Sequence, residues 1–159
     1  MLKSKIYIYT FYRFKKFTSI KSIKIKLDKS LKNKLILGTV LIANEGINGT
    51  ISGTEKDLND FISLIKQILK IKKLSIKISK NNFIPFYRLK IRIKKEIVTL
   101  GDKTINPEKI TGKYIDPKKW DRIVNNKKYI IIDTRNDYEI SIGTFVNAIN
   151  PKTKSFREF

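Results

Sequence analysis

Apolar residues recur along this chain with two different periods, and each change of period marks a new element. "KIYIYTFYRF" (residues 5–14) is rich in β-branched and aromatic residues and predicts a buried strand. In "FTSIKSIKIKLDKSLKNKL" (17–35), Ile20, Ile23, Leu27 and Leu31 recur at helical spacing, while "IKSIKIKL" within it also alternates like a strand. Its place between two strands favours a helix. "LILGTVLIA" (35–43) is a strand. "NEGINGT" (44–50) reads as a turn whose glycines and asparagines permit positive φ, and "TISG" then resumes an extended course. "TEKDLNDFISLIKQILKI" (54–71) is the clearest helix: Thr54 suits the N-cap and Asp57 makes a partial capping box. Leu58, Phe61, Ile62, Ile65, Ile68 and Leu69 share one face. "LSIKIS" (74–79) alternates, and so does "FYRLKIRIKKEIVTL" (86–100), with Leu89, Ile91 and Ile93 on one side.

The resulting order, β-α-β-β-α-β with an extra strand, predicts an α+β fold, a ferredoxin-like or acylphosphatase-like sandwich over residues 1–100. "GDKTINPEKITGKY" opens a linker, taken as 101–115, by its Gly, Pro and Asn content. From 116 the pattern changes. "DPKKWDRIV" (116–124) has an Asp N-cap and a Pro at the first helical position, and "YIIID" (129–133) reads as a strand covered on both faces. "NDYEISIG" (136–143) reads as a capped helical turn ending in Gly. Helix, strand, helix is the beginning of an α/β domain, so 116–159 is expected to be an incomplete one.

Charge adds a candidate partner. The net charge is +21. Residues 1–100 hold 23 basic and 6 acidic residues, a balance of +17, against 12 and 8, or +4, in 101–159. Such a field attracts polyanions, RNA or DNA foremost. A general drift towards Lys, Ile and Asn would also make the chain basic. Arg88, Lys90, Arg92 and Lys94 carry the sharper signal, alternating with apolar residues so that four cations share one strand face. They read either as an RNA contact or as a solvated sheet face. Phe83, Phe86 and Tyr87, just upstream, are candidates either for base stacking or for the core. Glu45, Gly46, Asn48 and Gly49 of the turn motif lack the Lys and the spacing of a P-loop, which favours a hairpin over an anion-binding nest.

The chain has no cysteine and no histidine. That removes disulfides, thiolate ligands, a cysteine nucleophile and the usual neutral-pH base. With the carboxylates scattered, no metal site is expected, and no cofactor is readable. No apolar run is long enough for a membrane span, and the start lacks the pattern of a signal peptide, so a cytoplasmic protein is expected. The sequence carries no reading of oligomeric state. Asp133 and Arg135 end the strand at 129–133. Asp133 suits backbone N–H donors of a neighbouring loop, and Arg135 suits Asp137, Glu139 or a distant carboxylate. A structural role at the strand end is the stronger reading. A supporting role at a ligand crevice also stands, because such crevices lie at the carboxyl ends of α/β strands.

Four stretches, "GTVLIANEGINGTISG", "PFYRLKIRIKKEIVTLG", "GKYIDPKKWDRIV" and "IIIDTRNDYEISIGTFVNAINPKTKSFREF", occur in this order. Together they closely resemble the bacterial rhodanese-family tRNA uridine hydroxylases, which use oxygen to make 5-hydroxyuridine at the wobble position. The resemblance implies an acylphosphatase-like domain followed by a rhodanese domain, tRNA as partner and molecular oxygen as co-substrate. It places Asp133 and Arg135 at the end of the first rhodanese strand, and it places the catalytic cysteine in a loop beyond Phe159. No residue of this chain is therefore expected to be the catalytic nucleophile. A truncated or decaying copy, a shortened protein kept as a non-catalytic RNA-binding module, and an incomplete gene model all fit.

Overall fold

The computed structural model describes residues 5–32, 34–98, 101, 112–155 and 157–159. The chain divides into two units, Met1–Val98 and Thr99–Phe159. Most of the expected linker 101–115, and the last two residues of the stretch 86–100, lie outside the described residues.

In the first unit the elements run β1 (Ile6–Phe14), α1 (Ile20–Leu31), β2 (Leu37–Ala43), β3 (Gly46–Gly53), α2 (Glu55–Leu69), β4 (Ser75–Asn81) and β5 (Leu89–Ile93). One sheet takes the order β4-β1-β3-β2-β5. β1 is antiparallel to β3 and β4, and β2 is antiparallel to β3, the ferredoxin-like arrangement. β5 is the extra strand, parallel to β2 at the edge. It is shorter than the alternation in 86–100 suggests, because pairing with β2 stops at Ile93 and the chain then turns away.

α1 is the helix favoured above. Leu27 and Leu31 are buried and Ile20 and Ile23 pack on the core, while Ile25, which a strand would place beside Leu27, is 65% exposed. α2 carries Leu58, Phe61, Ile62, Ile65 and Leu69 into the core, with Ile68 packed at its margin. The Thr54 hydroxyl accepts from Asp57 N–H at 3.1 Å and donates to the Asp57 carboxylate at 2.8 Å, half of a capping box. The helix ends at Lys70 in the left-handed region (φ 50°), with Ile71 N–H donating to the Lys66 carbonyl at 3.0 Å. Both helices meet the sheet face that presents Tyr9, Phe11, Val40, Ile42, Ile47, Ile51 and Ile91. Phe11 and Phe61 pack edge-to-face at 6.0 Å, and the Tyr9 hydroxyl donates to the Asn59 side chain at 2.8 Å.

The turn motif is placed differently from expectation. Only Asn44 and Glu45 form the hairpin turn; Gly46, Asn48 and Gly49 lie inside β3. None of the motif's residues has a positive φ. The glycines serve close approach instead. A Cβ on Gly46 would lie 2.3 Å from the Arg13 carbonyl oxygen and 2.8 Å from Ile97 Cδ1, and one on Gly49 would lie 2.7 Å from Phe11 Cζ. Ile97 is buried in consequence, and the motif's polar side chains hold it. Glu45 Oε1 accepts from Ile97 N–H at 2.7 Å, and Asn48 Nδ2 donates to the Ile97 carbonyl at 3.1 Å.

In the second unit α3 spans Pro117–Val124 and α4 spans Asp137–Ile142. Asp116 caps α3 by accepting from Lys118 N–H at 2.9 Å, and Asn136 with Glu139 makes a full capping box for α4. α4 ends at Gly143 as the sequence suggests, with Gly143 N–H donating to the Ile140 carbonyl at 3.1 Å. One expectation fails here. Residues 129–133 do not form a strand covered on both faces: they make one parallel bridge, Ile132 to Ile149, and Tyr129, Ile130 and Ile132 are exposed. A continuous apolar run signals what a segment would bury, and in this unit nothing described covers it.

Gly46→Ala is expected to destabilise the first unit by about 1–3 kcal/mol, the usual range for overpacking, because its nearest obstacle is backbone. Gly112→Ala meets nothing within 4 Å and should leave the melting temperature unchanged. Equal melting temperatures for the two variants in calorimetry would show that the β1–β3 approach is not tight.

Candidate functional site

Two places hold the residues singled out in the sequence, one in each unit. In the first unit the cations Arg88, Lys90, Arg92 and Lys94 follow the edge strand β5. Parallel pairing sets Thr39 beside Lys90 and Leu41 beside Arg92, which puts both cations on the face opposite Ile91. The ladder holds the flanking pair as well: Gly38 N–H donates to the Arg88 carbonyl at 3.1 Å, and Lys94 N–H donates to the Ile42 carbonyl at 2.9 Å. Arg88, Arg92 and Lys94 are exposed and Lys90 is half-buried. Among the described residues none of the four joins an ion pair. The core alternative for the upstream aromatics fails for two of them, since Phe83 is 65% exposed and Tyr87 fully so; Phe86 is half-buried.

In the second unit Asp133 and Arg135 meet each other. The guanidinium grips the carboxylate, with Nη2 at 2.6 Å from Oδ2 and Nε at 2.9 Å from Oδ1. Arg135 N–H also donates to Oδ1, at 3.2 Å. The Thr144 hydroxyl donates to Oδ2 at 2.7 Å, and Arg135 Nη2 donates onward to the Gly143 carbonyl at 2.7 Å. The hydrogen bond from Arg135, then that from Thr144, holds the Asp133 carboxyl well below the usual carboxylate range, against the opposing effect of burial. Arg135 is pushed up in turn by the Asp133 carboxylate. The carboxylates suggested as partners for Arg135 are engaged elsewhere: Asp137 accepts from the Asn150 side chain at 2.9 Å, and Glu139 caps α4. The sequence does not mark Thr144, and it marks Gly143 only as the end of α4. They lie a helix away from Asp133, and no spacing rule marks them as its partners.

A carboxylate with its oxygens occupied by donors and its charge matched is a poor base and a poor nucleophile. The cluster can pin the loop after α4 to the chain ahead of it; it offers no group for proton transfer. Among the described residues no three Asp or Glu side chains gather to hold a metal ion, and no helix is long and apolar enough to cross a membrane.

A five-stranded sheet with two helices on one face and the ferredoxin strand order defines an acylphosphatase-like α+β sandwich. The chain belongs to the UPF0176 family, whose acylphosphatase-like domain matches residues 6–97. It is 44% identical over 152 residues to a tRNA uridine(34) hydroxylase of Picosynechococcus sp. (strain ATCC 27264 / PCC 7002 / PR-6), a match covering 96% of this chain and 51% of that protein. It is 45% identical over 153 residues to the protein of the same name from Pelagibacter ubique (strain HTCC1062), with 96% and 50% covered. The chain thus spans about half the length of the curated relatives it matches. Among solved structures it is similar to acylphosphatase from Bacillus subtilis, at a TM-score of 0.42 and 12% identity over 55% of this chain and 98% of that one. It is also similar to the BLUF protein BlrB, at 0.47 and 14% over 63% and 80%.

Asp133 supplies a pH test. Its carboxyl has a lower pKa folded than its ordinary 3.8. Ionised pairing therefore stabilises the fold above about pH 4, and that stabilisation is lost as pH falls through the ordinary value towards the folded one. The sole tryptophan, Trp120, packs edge-to-face on Phe145 at 5.3 Å, next to Thr144, and reports on this unit. Denaturant unfolding followed by Trp120 fluorescence should weaken from pH 5 to pH 2 more in the wild type than in Asp133→Asn. Parallel pH profiles would show that the cluster adds nothing.

Proposed function

We propose that this chain is the tRNA-engaging part of an oxygen-dependent tRNA uridine 5-hydroxylase acting on the wobble uridine, in the cytoplasm. The observation that carries the reading is the row of four cations on an exposed edge strand, without ion pairs among the described residues, inside the family's own domain. Like charges held at alternate positions repel one another, and a polyanion laid along them relieves that repulsion. The exposed rings of Phe83 and Tyr87 lie just upstream and offer stacking surfaces to unpaired bases. The names of the two relatives support tRNA as the polyanion and uridine 34 as the target.

The second unit contributes Asp133, Arg135 and Thr144 as a scaffold for a rhodanese-like strand end, not as reacting groups. A thiolate step of the rhodanese type cannot be performed by a chain without cysteine. The same fact favours a second reading, a module that binds RNA and performs no chemistry.

Removing one cation from a phosphate should flatten the slope of log K against log salt by about 0.7–0.9. Replacing both Lys90 and Arg92 with Gln is then expected to weaken tRNA binding at low salt and to flatten the slope by about 1.4–1.8. Unchanged affinity and slope would leave the row as solvated surface. The isolated chain, incubated with unmodified tRNA under oxygen, should yield no 5-hydroxyuridine above a no-protein control in nucleoside mass spectrometry. Product that disappears in Asp133→Ala would move the chemistry into this chain.

A further inference from the structure

Four connections of the first unit meet at one end of its sheet. The register sets Phe14, Ser75, Gly46, Ala43 and Ile93 at that end, so residues 15–19, 44–45, 70–74 and 94–98 all lie beyond it. Three of the four share a pattern. Each buries one apolar residue, Phe17, Ile71 or Ile97, and each carries two consecutive lysines close to that anchor. The pairs are Lys15 and Lys16, Lys72 and Lys73, Lys94 and Lys95; Lys15 is half-buried and the other five are exposed. The backbone is held too. Lys15 N–H donates to the Glu45 carbonyl at 2.9 Å, Phe17 N–H donates to the Asn44 carbonyl at 2.7 Å, and Lys15 Nζ donates to the Lys70 carbonyl at 2.8 Å. The four connections hold seven lysines and two glutamates. One of the glutamates, Glu45, already accepts from Ile97 N–H. Among the described residues none of these lysines joins an ion pair. At the opposite end Lys34 has carboxylates within reach, Asp57 at 3.6 Å and Asp60 at 3.7 Å. A drift towards Lys raises the count everywhere; it does not by itself set lysine pairs beside three buried anchors at one end.

We infer that this end of the sandwich grips the phosphate backbones of a base-paired RNA stem. The inference rests on the tRNA reading above and extends it: Lys94 closes the row on β5, and the other lysines carry the contact across the end of the sheet. Strand order sets the spacing. Lys72 and Lys73 precede β4, and Lys15 and Lys16 follow its neighbour β1, so these four form one group. With strands about 4.8 Å apart, Lys94 and Lys95 beyond β5 lie roughly 14–19 Å from that group. A duplex presents two phosphate strands, one on each side of a groove, and A-form RNA has a wide, shallow minor groove between them. The β2–β3 hairpin lies between the two groups, and Asn44, exposed at its tip, offers an amide to the 2′-hydroxyls of that groove. Phe17 is the one aromatic residue of the four connections and is buried, so this end offers no ring to an unpaired base. Cations without stacking rings suit a helix read through its backbone and shape. The buried anchors fix the backbone beneath each lysine pair, which lowers the ordering cost of binding.

The test uses the full chain with tRNA, with a blunt RNA duplex and with oligouridine, each titrated over a range of salt. Lys16→Gln combined with Lys73→Gln removes two exposed cations and leaves the Lys15–Lys70 bond in place. The duplex salt slope should flatten by about 1.8, at about 0.9 per phosphate contact, and the oligouridine slope should not change. Lys95→Gln, on the other side of the hairpin, is an independent variant and should flatten the duplex slope by about 0.9. Lys16→Arg with Lys73→Arg should keep the wild-type slope. Lys32→Gln with Lys56→Gln takes the same charge from exposed positions at the opposite end and should also keep it. Equal flattening by the two Gln pairs would make the effect one of net charge and overturn the inference. Equal flattening with duplex and oligouridine would overturn the stem assignment. If Lys90→Gln with Arg92→Gln weakens tRNA binding while the Lys16, Lys73 and Lys95 variants leave the duplex slope unchanged, the stem contact is wrong and the tRNA reading stands. If the wild-type chain binds tRNA but not the duplex, the same conclusion follows. If it binds neither, both fall.

Discussion

Both helices of the first unit pack on the same face of the sheet, and this asymmetry governs the rest of the structure. Each strand must bury alternate residues, so its other residues are assigned to the opposite side. Tyr9 and Phe11 go under α2; Thr10 and Tyr12 therefore cannot. Ile91 packs inward, and Lys90 and Arg92 are turned out on either side of it. The basic face is thus fixed by the same pattern that fixes the core. A one-residue slip of β5 would bring cations towards the core and isoleucines into water, which ties the placement of the charges to the stability of the fold.

That coupling is why the first unit was legible. The periods of two and of 3.6 gave its strands and helices, and the order of elements gave the sandwich. Even α1, where both periods were present, was decided by what its neighbours needed, and Ile25 takes the exposed position. The turn motif is less legible. Glycine signals two different needs, a left-handed backbone or a close neighbour, and local sequence does not tell them apart. Gly46 and Gly49 answer the second need, and their neighbours, Arg13, Phe11 and Ile97, lie far away in sequence. The same holds for Glu45 and Asn48, which bind the backbone of Ile97. A motif that looked like a local turn is a long-range clamp.

The second unit was legible only where its information is local. The caps at Asp116 and Asn136 are short-range hydrogen bonds and are readable; the run 129–133 depends on partners to cover it, and its own sequence does not tell whether they are there. Asp133 shows the limit well. Three of its donors come from Arg135, close enough in sequence to suspect, while Thr144 arrives from beyond α4. The resemblance named the pair but not the bond between its members.

Charge and chemistry are divided unequally between the two units. The first carries a large excess of cations and, among the described residues, few ion pairs to absorb it. The second has a smaller excess, and the one buried carboxylate among its described residues is fully matched. Unmatched surface charge does little for stability, and its like-sign repulsion works against the fold. A matched, donor-saturated carboxylate gives order and little reactivity. The first arrangement is suited to holding a polyanion and the second to holding a loop in place. Under the proposed function the first set of side chains meets the polyanion and the second supports a loop, and neither set offers a reacting group.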